Sequence, residues 1–420
     1  MDAVKKINLG KNINLTLIPQ TKFKSNLVSL YIQRVLERDE VTKNALLPNL
    51  ITSGCEKYQS TREISKRMDD LYGSSVFGDS SKRGERQVIS YKIISTNERY
   101  LDEKIFTDVI EFFNDVVNHP LIIDGGFKQE YVDIEKRNLK DRIEGIINDK
   151  SRYALERTFE EMCKDERFSV SEHGYIEDLD KITPKDLYEH YKEIIKTSPI
   201  DIVVEGNFDE KQVVDIITEK FNFDRGDIVE IPREEFSKEV KEVKVIEDKM
   251  DITQGKLVMG YRTNIDFKDT DRYYSLVVGS NVLGGGPHSK MFINIREKES
   301  LCYYIYSAVE KYKGIMFISS GIEFQNYDKT VELVKKQIES MKNGEITEDE
   351  IQSSKKALIN SIRSVGDSIG GMSDFYFAQG LSDSHMTLEE MIENIDKVTV
   401  DGIKNAFDSV DLDTVYFLRN

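Results

Sequence analysis

The sequence predicts an α+β protein made of two similar two-layer domains, each an antiparallel sheet packed by long helices. Three observations point there. A chain of 420 residues is longer than one ordinary core organises. Short segments of alternating polarity are interleaved with long stretches of helical period, the pattern of sheets packed by helices. And a motif returns half a chain later: EDLDKIT at 177–183 reappears as ENIDKVT at 393–399, each time just before a helix start. A fainter echo pairs the helix carrying Lys136, Leu139 and Ile143 with the one carrying Lys355, Leu358 and Ile362. The division is placed at 1–228 and 229–420.

The elements follow in order. Residues 13–18 alternate and stop at Pro19. Residues 27–35 alternate too, with Val28, Leu30 and Ile32 on one face and Ser29, Tyr31 and Gln33 on the other. Residues 61–72 place Ile64, Met68, Leu71 and Tyr72 at helical spacing before Gly73 ends the run. Residues 88–94 read as a strand. Two long helical stretches cover 102–118 and 128–164, the second broken near 149–151. Thr183 and Pro184 form an N-cap with proline at N1. Residues 200–205 form a buried-type strand closed by Gly206. From 226 to 249 the chain is densely charged and interrupted by Pro232, so this is the linker, with a strand at its end. Residues 254–262 (QGKLVMGYR) alternate as a strand.

Charge narrows the function. There are 59 basic and 76 acidic side chains, a net charge of −17, and no dense Lys/Arg stripe. Such a surface repels phosphates and anionic lipids, so neither nucleic acid nor membrane is an expected partner. The three cysteines, Cys55, Cys163 and Cys302, are too few and too far apart for a disulfide framework. The amino terminus, MDAVKKINLGKNINLTLIP, has no apolar run of signal-peptide type, and no stretch approaches the roughly 20 apolar residues of a membrane span. A cytoplasmic location is expected.

Several segments carry a family likeness: GCEKYQSTREISKRMDDLYG in the first half, HGYIEDLDKITPKDLYEHY and IVVEGNFD in the middle, and NVLGGGPHSKMFINIREKESLCYYIYS in the second half. In these, and in its length, repeat and linker, the chain resembles the peptidase M16 family, which includes insulinase, pitrilysin and the mitochondrial processing peptidase. The resemblance spans essentially the whole chain, and the last segment is its most specific part. It implies the LuxS/MPP-like metallohydrolase fold.

Active members carry His-x-x-Glu-His on a helix and a further glutamate. Two imidazoles one turn apart can face one Zn²⁺, a distal carboxylate completes the set, and the intervening Glu is the base. Counting back from Gly54 and Cys55, matched to the Gly-Thr-like pair after that motif, places Ala45 and Asn49 at the two His positions and Pro48 at the Glu. The distal glutamate falls near Arg142. Alanine offers no ligand, proline has neither a base nor an amide proton, and arginine repels a cation. None of the five histidines has another within four residues. No metal ligand and no cofactor are expected in this chain.

The resemblance also assigns what is retained. Family members use an Arg and a Tyr, seven residues apart in the other domain, on the substrate and its developing oxyanion. Arg296 and Tyr303 match. A guanidinium donates in pairs to carbonyl oxygen and a phenol adds one donor, with no need to touch a metal. Gly284, Gly285 and Gly286 lack a following Gly-Lys-Ser/Thr, and Pro287 removes an amide donor, so they do not form a phosphate loop. They are expected to form a flexible turn approached by substrate or partner, with His288 a solvated neighbour. Gln254 opens a strand that, by the resemblance, lies near where substrate adds as an extra strand.

The expected function is therefore that of the zinc-less subunit of a heterodimeric peptidase. It would supply Arg296 and Tyr303 to a zinc-bearing homologue that acts on peptides or unfolded segments. The likeness is to the YmfF-like branch, encoded beside a homologue that keeps its zinc motif and associated with elongation factor P modification, a chemistry that no residue here accounts for. The alternative is a structural or peptide-binding homologue without a catalytic role, like the zinc-less core proteins of the respiratory complex.

Overall fold

The computed structural model describes residues 4–420. In chain order the strands are β1 Lys5–Gly10, β2 Ile13–Pro19, β3 Ser25–Val35, β4 Ser75–Arg83, β5 Arg86–Thr96, the short hairpin β6 Ile122–Ile123 and β7 Gly126–Phe127, β8 Ile200–Gly206, β9 Lys244–Lys249, β10 Gly255–Arg262, β11 Cys302–Glu310, β12 Ile315–Ile322 and β13 Asp411–Arg419. One sheet has the order β1-β2-β8-β3-β5-β4 and the other β11-β12-β10-β13-β9. Read from opposite ends, β2-β8-β3-β5-β4 and β9-β13-β10-β12-β11 have the same topology. In each, the last strand of the repeat enters between the first two, parallel to the first and antiparallel to the second. The sheets are thus mixed rather than wholly antiparallel. The parallel partners are separated in sequence by the other strands and helices of the repeat, a connection long enough for parallel pairing. The repeated heptapeptide occupies equivalent places: Thr183 caps helix Pro184–Thr197 and Thr399 caps helix Val400–Phe407.

The described chain packs as two compact units. One takes the chain up to Glu144, residues 170–232 and residues 365–384; the other takes 145–169, 233–364 and 385–420. The crossing at 232–233 lies in the charged linker. The other crossings arise because each half of the sequence lends one helix to the other unit.

In the first unit, Leu17, Val28, Leu30, Ile32, Ile93 and Val204 form one apolar face, buried with Leu46, Leu47, Phe113 and Leu187 from the covering helices. That face is the alternation read from 27–35. The opposite face carries Ser29 and Tyr31 and receives helix Ile369–Leu381. The Tyr31 ring stacks on Phe377 at 4.0 Å. Its hydroxyl donates to Asp374 (2.7 Å), which Lys92 also holds (2.6 Å).

The second unit repeats the plan. Leu257, Met259, Ile318, Ile322, Val415 and Phe417 pack with the helices on one side. Helix Lys150–Met162 lies on the other, where Ala154 joins Val258 and Tyr416. The break expected near 149–151 is real: Asp149 accepts from the amides of Ser151 and Arg152 and restarts the helix. The helix expected from 102 starts later, at Phe106, because Glu98 accepts from the amides of Ile105 and Phe106 and holds the preceding residues out of it.

Candidate functional site

Arg296 and Tyr303, the pair singled out in the sequence, sit in the second unit, on consecutive elements. Residues Phe292–Glu297 form a π-helical turn, a widened coil that recurs at functional positions. Arg296 lies on it, its side chain 37% exposed and its guanidinium 4.4 Å from the Phe292 ring centre, 3.8 Å from Glu297. The next element is β11, the edge strand of the second sheet, and the π-turn packs against it. Cys302 pairs with Ile322 and Tyr304 with Gly321, so Tyr303 is the extra residue of a β-bulge. Bulges re-aim side chains, and Tyr303 is 77% exposed. Burial raises the Cys302 thiol pKa, while Ser320 and the positive charge of Arg296 oppose that rise.

The glycines divide by role. Gly284 ends helix Thr270–Gly284, and a Cβ there would come within 2.5 Å of the Ser307 amide nitrogen and the Met291 Cε. This is a tight packing contact rather than a flexible one. Gly285 caps the helix, and a Cβ on it would strike the Asn281 side chain at 2.2 Å. Gly286 has φ +157°. His288 is not simply solvated: its Nε2 lies 3.1 Å from Asn281 Oδ1 and 3.2 Å from Ser354 Oγ, which ties the loop to two helices. Gln254 precedes β10 and accepts from Lys256 Nζ (2.7 Å). Since β10 is paired on both sides, by β12 and β13, an extended segment finds no free edge on it. The open edges of this sheet are β11 and β9.

The residues expected at the zinc-motif positions lie in the first unit, Ala45, Pro48 and Asn49 on helix Val41–Thr52. Ala45 and Pro48 are buried and Asn49 is half-buried, while Arg142 is exposed on helix Gln129–Gly145. The space beside Pro48 is closed by backbone. Gly78 of β4 packs so near that a Cβ would lie 2.7 Å from the Pro48 carbonyl oxygen and 3.0 Å from its Cα. The residues present do not fit a zinc ion. One histidine does contact this helix: His190 Nε2 lies 2.6 Å from Asn44 Oδ1, and Asn44 in turn donates to Gln87 (2.9 Å). Burial lowers the His190 pKa to about 4, so the ring is neutral. Among the described residues no group of three or more His, Cys, Asp or Glu could hold a metal ion, and no helix is long and apolar enough to cross a membrane. A nearby cavity of about 770 Å³ is lined by Arg38, Thr42, Asp178 and His190 among others, and Arg38 there is paired with Asp178 and Glu177.

Gly78 was missed in the sequence, although a lone glycine in a strand marks close backbone approach. Replacing it with alanine is expected to cost about 1–3 kcal/mol through overpacking against Pro48. Urea unfolding measures this, and an unchanged midpoint would show that β4 and the helix can separate freely.

Comparison with known proteins fits this arrangement. A family model described as peptidase M16 inactive domain matches residues 181–358. The chain is 35% identical over 405 residues to the "Probable inactive metalloprotease YmfF" of Bacillus subtilis (strain 168), across 96% of this chain and 95% of that protein. A partial match, 29% over 136 residues, covers 32% of this chain and 33% of the "Uncharacterized zinc protease YmxG" of the same organism. A crystal structure of a conserved protein from Enterococcus faecalis V583 superposes with a TM-score of 0.92 at 27% identity, covering 99% of this chain and 98% of that one. The peptidase M16 inactive domain from Pseudomonas fluorescens shares the fold, with a TM-score of 0.80 at 16% identity over 99% of this chain and 98% of that one. With a relative this similar along nearly its whole length, the chain belongs to the peptidase M16 family, and its sequence contains no His-x-x-Glu-His.

Proposed function

We propose that this chain is the non-zinc subunit of a two-chain peptidase, which lends Arg296 and Tyr303 to a zinc-bearing homologue acting on peptides or unfolded segments. The single observation carrying this reading is asymmetric loss. The metal positions hold Ala45, Pro48 and Asn49, whereas Arg296 and Tyr303 remain, on a π-turn and on a bulged edge strand where both reach solvent. The existence of a partly similar relative named as a zinc protease supports a partner of that kind. In the complex the partner's zinc supplies the hydrolytic chemistry. The guanidinium of Arg296 and the phenol of Tyr303 donate hydrogen bonds to the carbonyl oxygen of the bound peptide, and hold it more strongly as negative charge builds there.

The test is co-expression with zinc-bearing M16 homologues followed by a peptide-cleavage assay. Arg296→Ala is expected to lower kcat/KM about 100-fold and Tyr303→Phe about 10-fold, with association retained. Full activity in both variants would favour the second reading, a structural or peptide-binding subunit without a catalytic role.

A further inference from the structure

The residue after Tyr303 is held as firmly as Tyr303 is free. The Tyr304 hydroxyl lies 2.9 Å from Ser151 Oγ, and its backbone carbonyl accepts from Ser320 Oγ at 2.9 Å. The ring lies 5.3 Å beneath Lys256 Nζ, itself tied to Gln254 Oε1 at 2.7 Å. Across the ladder stands Gly321, where a Cβ would meet the Tyr304 ring at 2.6 Å and Gln254 Oε1 at 2.8 Å. Only a glycine lets the Tyr304 ring lie across β12. Ser151 is fixed in its turn, because its amide is bound by the capping Asp149 at the start of helix Lys150–Met162.

We infer that Tyr304 and Ser151 are positioning residues: their bond pins the bulge of β11, and so sets the direction in which Tyr303 is presented. A bulge lets the strand twist locally, and an edge bulge has no second neighbour to fix that twist. Here the missing neighbour is replaced by a hydroxyl pair. One half of that restraint, Ser151, comes from the first half of the sequence, on the helix exchanged into this unit. The importance of the restraint for catalysis rests on the role proposed for Tyr303; the restraint itself does not.

The chain contains no tryptophan, so Tyr303→Trp places a single, selectively excitable indole at the bulge of the full-length protein. Anisotropy decay of this variant is compared with that of the same variant carrying Ser151→Ala, Ser151→Thr or Tyr304→Phe. Ser151→Ala and Tyr304→Phe are expected to raise the amplitude of nanosecond indole motion by about half, with far-UV circular dichroism and the unfolding midpoint unchanged. Ser151→Thr, which keeps the hydroxyl, is expected to restore the parent decay. Equal decays in all four proteins would overturn the inference, as would a Ser151→Thr decay equal to that of Ser151→Ala. In an active complex, without the tryptophan, Tyr304→Phe is expected to lower kcat about threefold at unchanged KM. A complex indifferent to both Arg296→Ala and Tyr303→Phe would sink the proposed function, while the anisotropy result would still decide the restraint.

Discussion

Replacing Glu166 with alanine is expected to destabilise the second unit by about 3–5 kcal/mol, the cost of breaking a buried ion pair from one side. Its carboxylate holds Arg262 (2.6 Å), Lys313 (2.7 Å) and Lys238 (2.8 Å), and Arg262 and Lys313 are wholly buried. These three cations come from β10, the β11–β12 turn and the linker, and Glu166 itself follows the exchanged helix Lys150–Met162. Without it, Arg262 keeps Asp413 (3.1 Å) and Lys313 keeps the Glu235 carbonyl (2.8 Å), but the excess positive charge has no exit to water. Burial alone would raise the Glu166 pKa; hydrogen bonds from Arg262, Lys238 and Lys313 outweigh it and bring the value down to about 2. A carboxylate with a depressed folded-state pKa stabilises fully above its unfolded value, near 4.5, and that contribution is lost as pH falls toward 2. Urea unfolding at pH 7 and pH 3, with hydrogen exchange followed on 150–162, measures both effects. An alanine variant within about 1 kcal/mol of the parent at pH 7 would show that the cluster is not what holds this helix in place.

The first unit is expected to respond to pH with the opposite sign. Glu205 on β8 is fully buried against the other exchanged helix. Its Oε1 accepts from Gln20 Nε2 at 2.6 Å, while Oε2 has no hydrogen-bond partner. Burial pushes its pKa up to about 8; the Ser373 backbone, Gln20 and Lys92 oppose this, and Asp374 adds to it. The folded chain therefore keeps a proton that the unfolded chain releases near 4.5. Between those values the folded state binds more protons, so stability falls as pH rises, at up to about 1.4 kcal/mol per unit. From pH 5 to pH 8 the loss approaches about 4 kcal/mol. Glu205→Gln, which cannot ionise, is expected to remove this slope. The measurement is the difference between the two unfolding free energies across pH 5–9, and parallel curves would refute it.

Both carboxylates lie where a borrowed helix meets a sheet, and neither was legible in the sequence. Glu166 looked like one acid among many in a charged stretch, and Glu205 like the end of an apolar strand. Their partners, Arg262 and Lys313 for one and Gln20 and Ser373 for the other, are remote in sequence. The same holds at the candidate site. Arg296 and Tyr303 could be named because motif neighbours surround them. The bulge that frees Tyr303 depends on the β11–β12 register, and register is set by pairing, not by local composition. Gln254 showed a plausible strand start but not that β10 is central in its sheet.

Local chemistry decided what local chemistry controls. The alternation at 27–35 determined which face of β3 is apolar, Thr183 and Asp186 determined a helix start through a reciprocal capping box, and helix Val41–Thr52 contains no His, Cys, Asp or Glu. The repeated heptapeptide pointed to a duplication, and the two sheets share one strand topology. Only the tertiary structure decided that each half gives a helix to the other's sheet, which acids are buried there, and how Tyr303 meets solvent. Those outcomes are contacts between different elements, most of them remote in sequence, and a linear pattern contains no information on which groups will share a desolvated space.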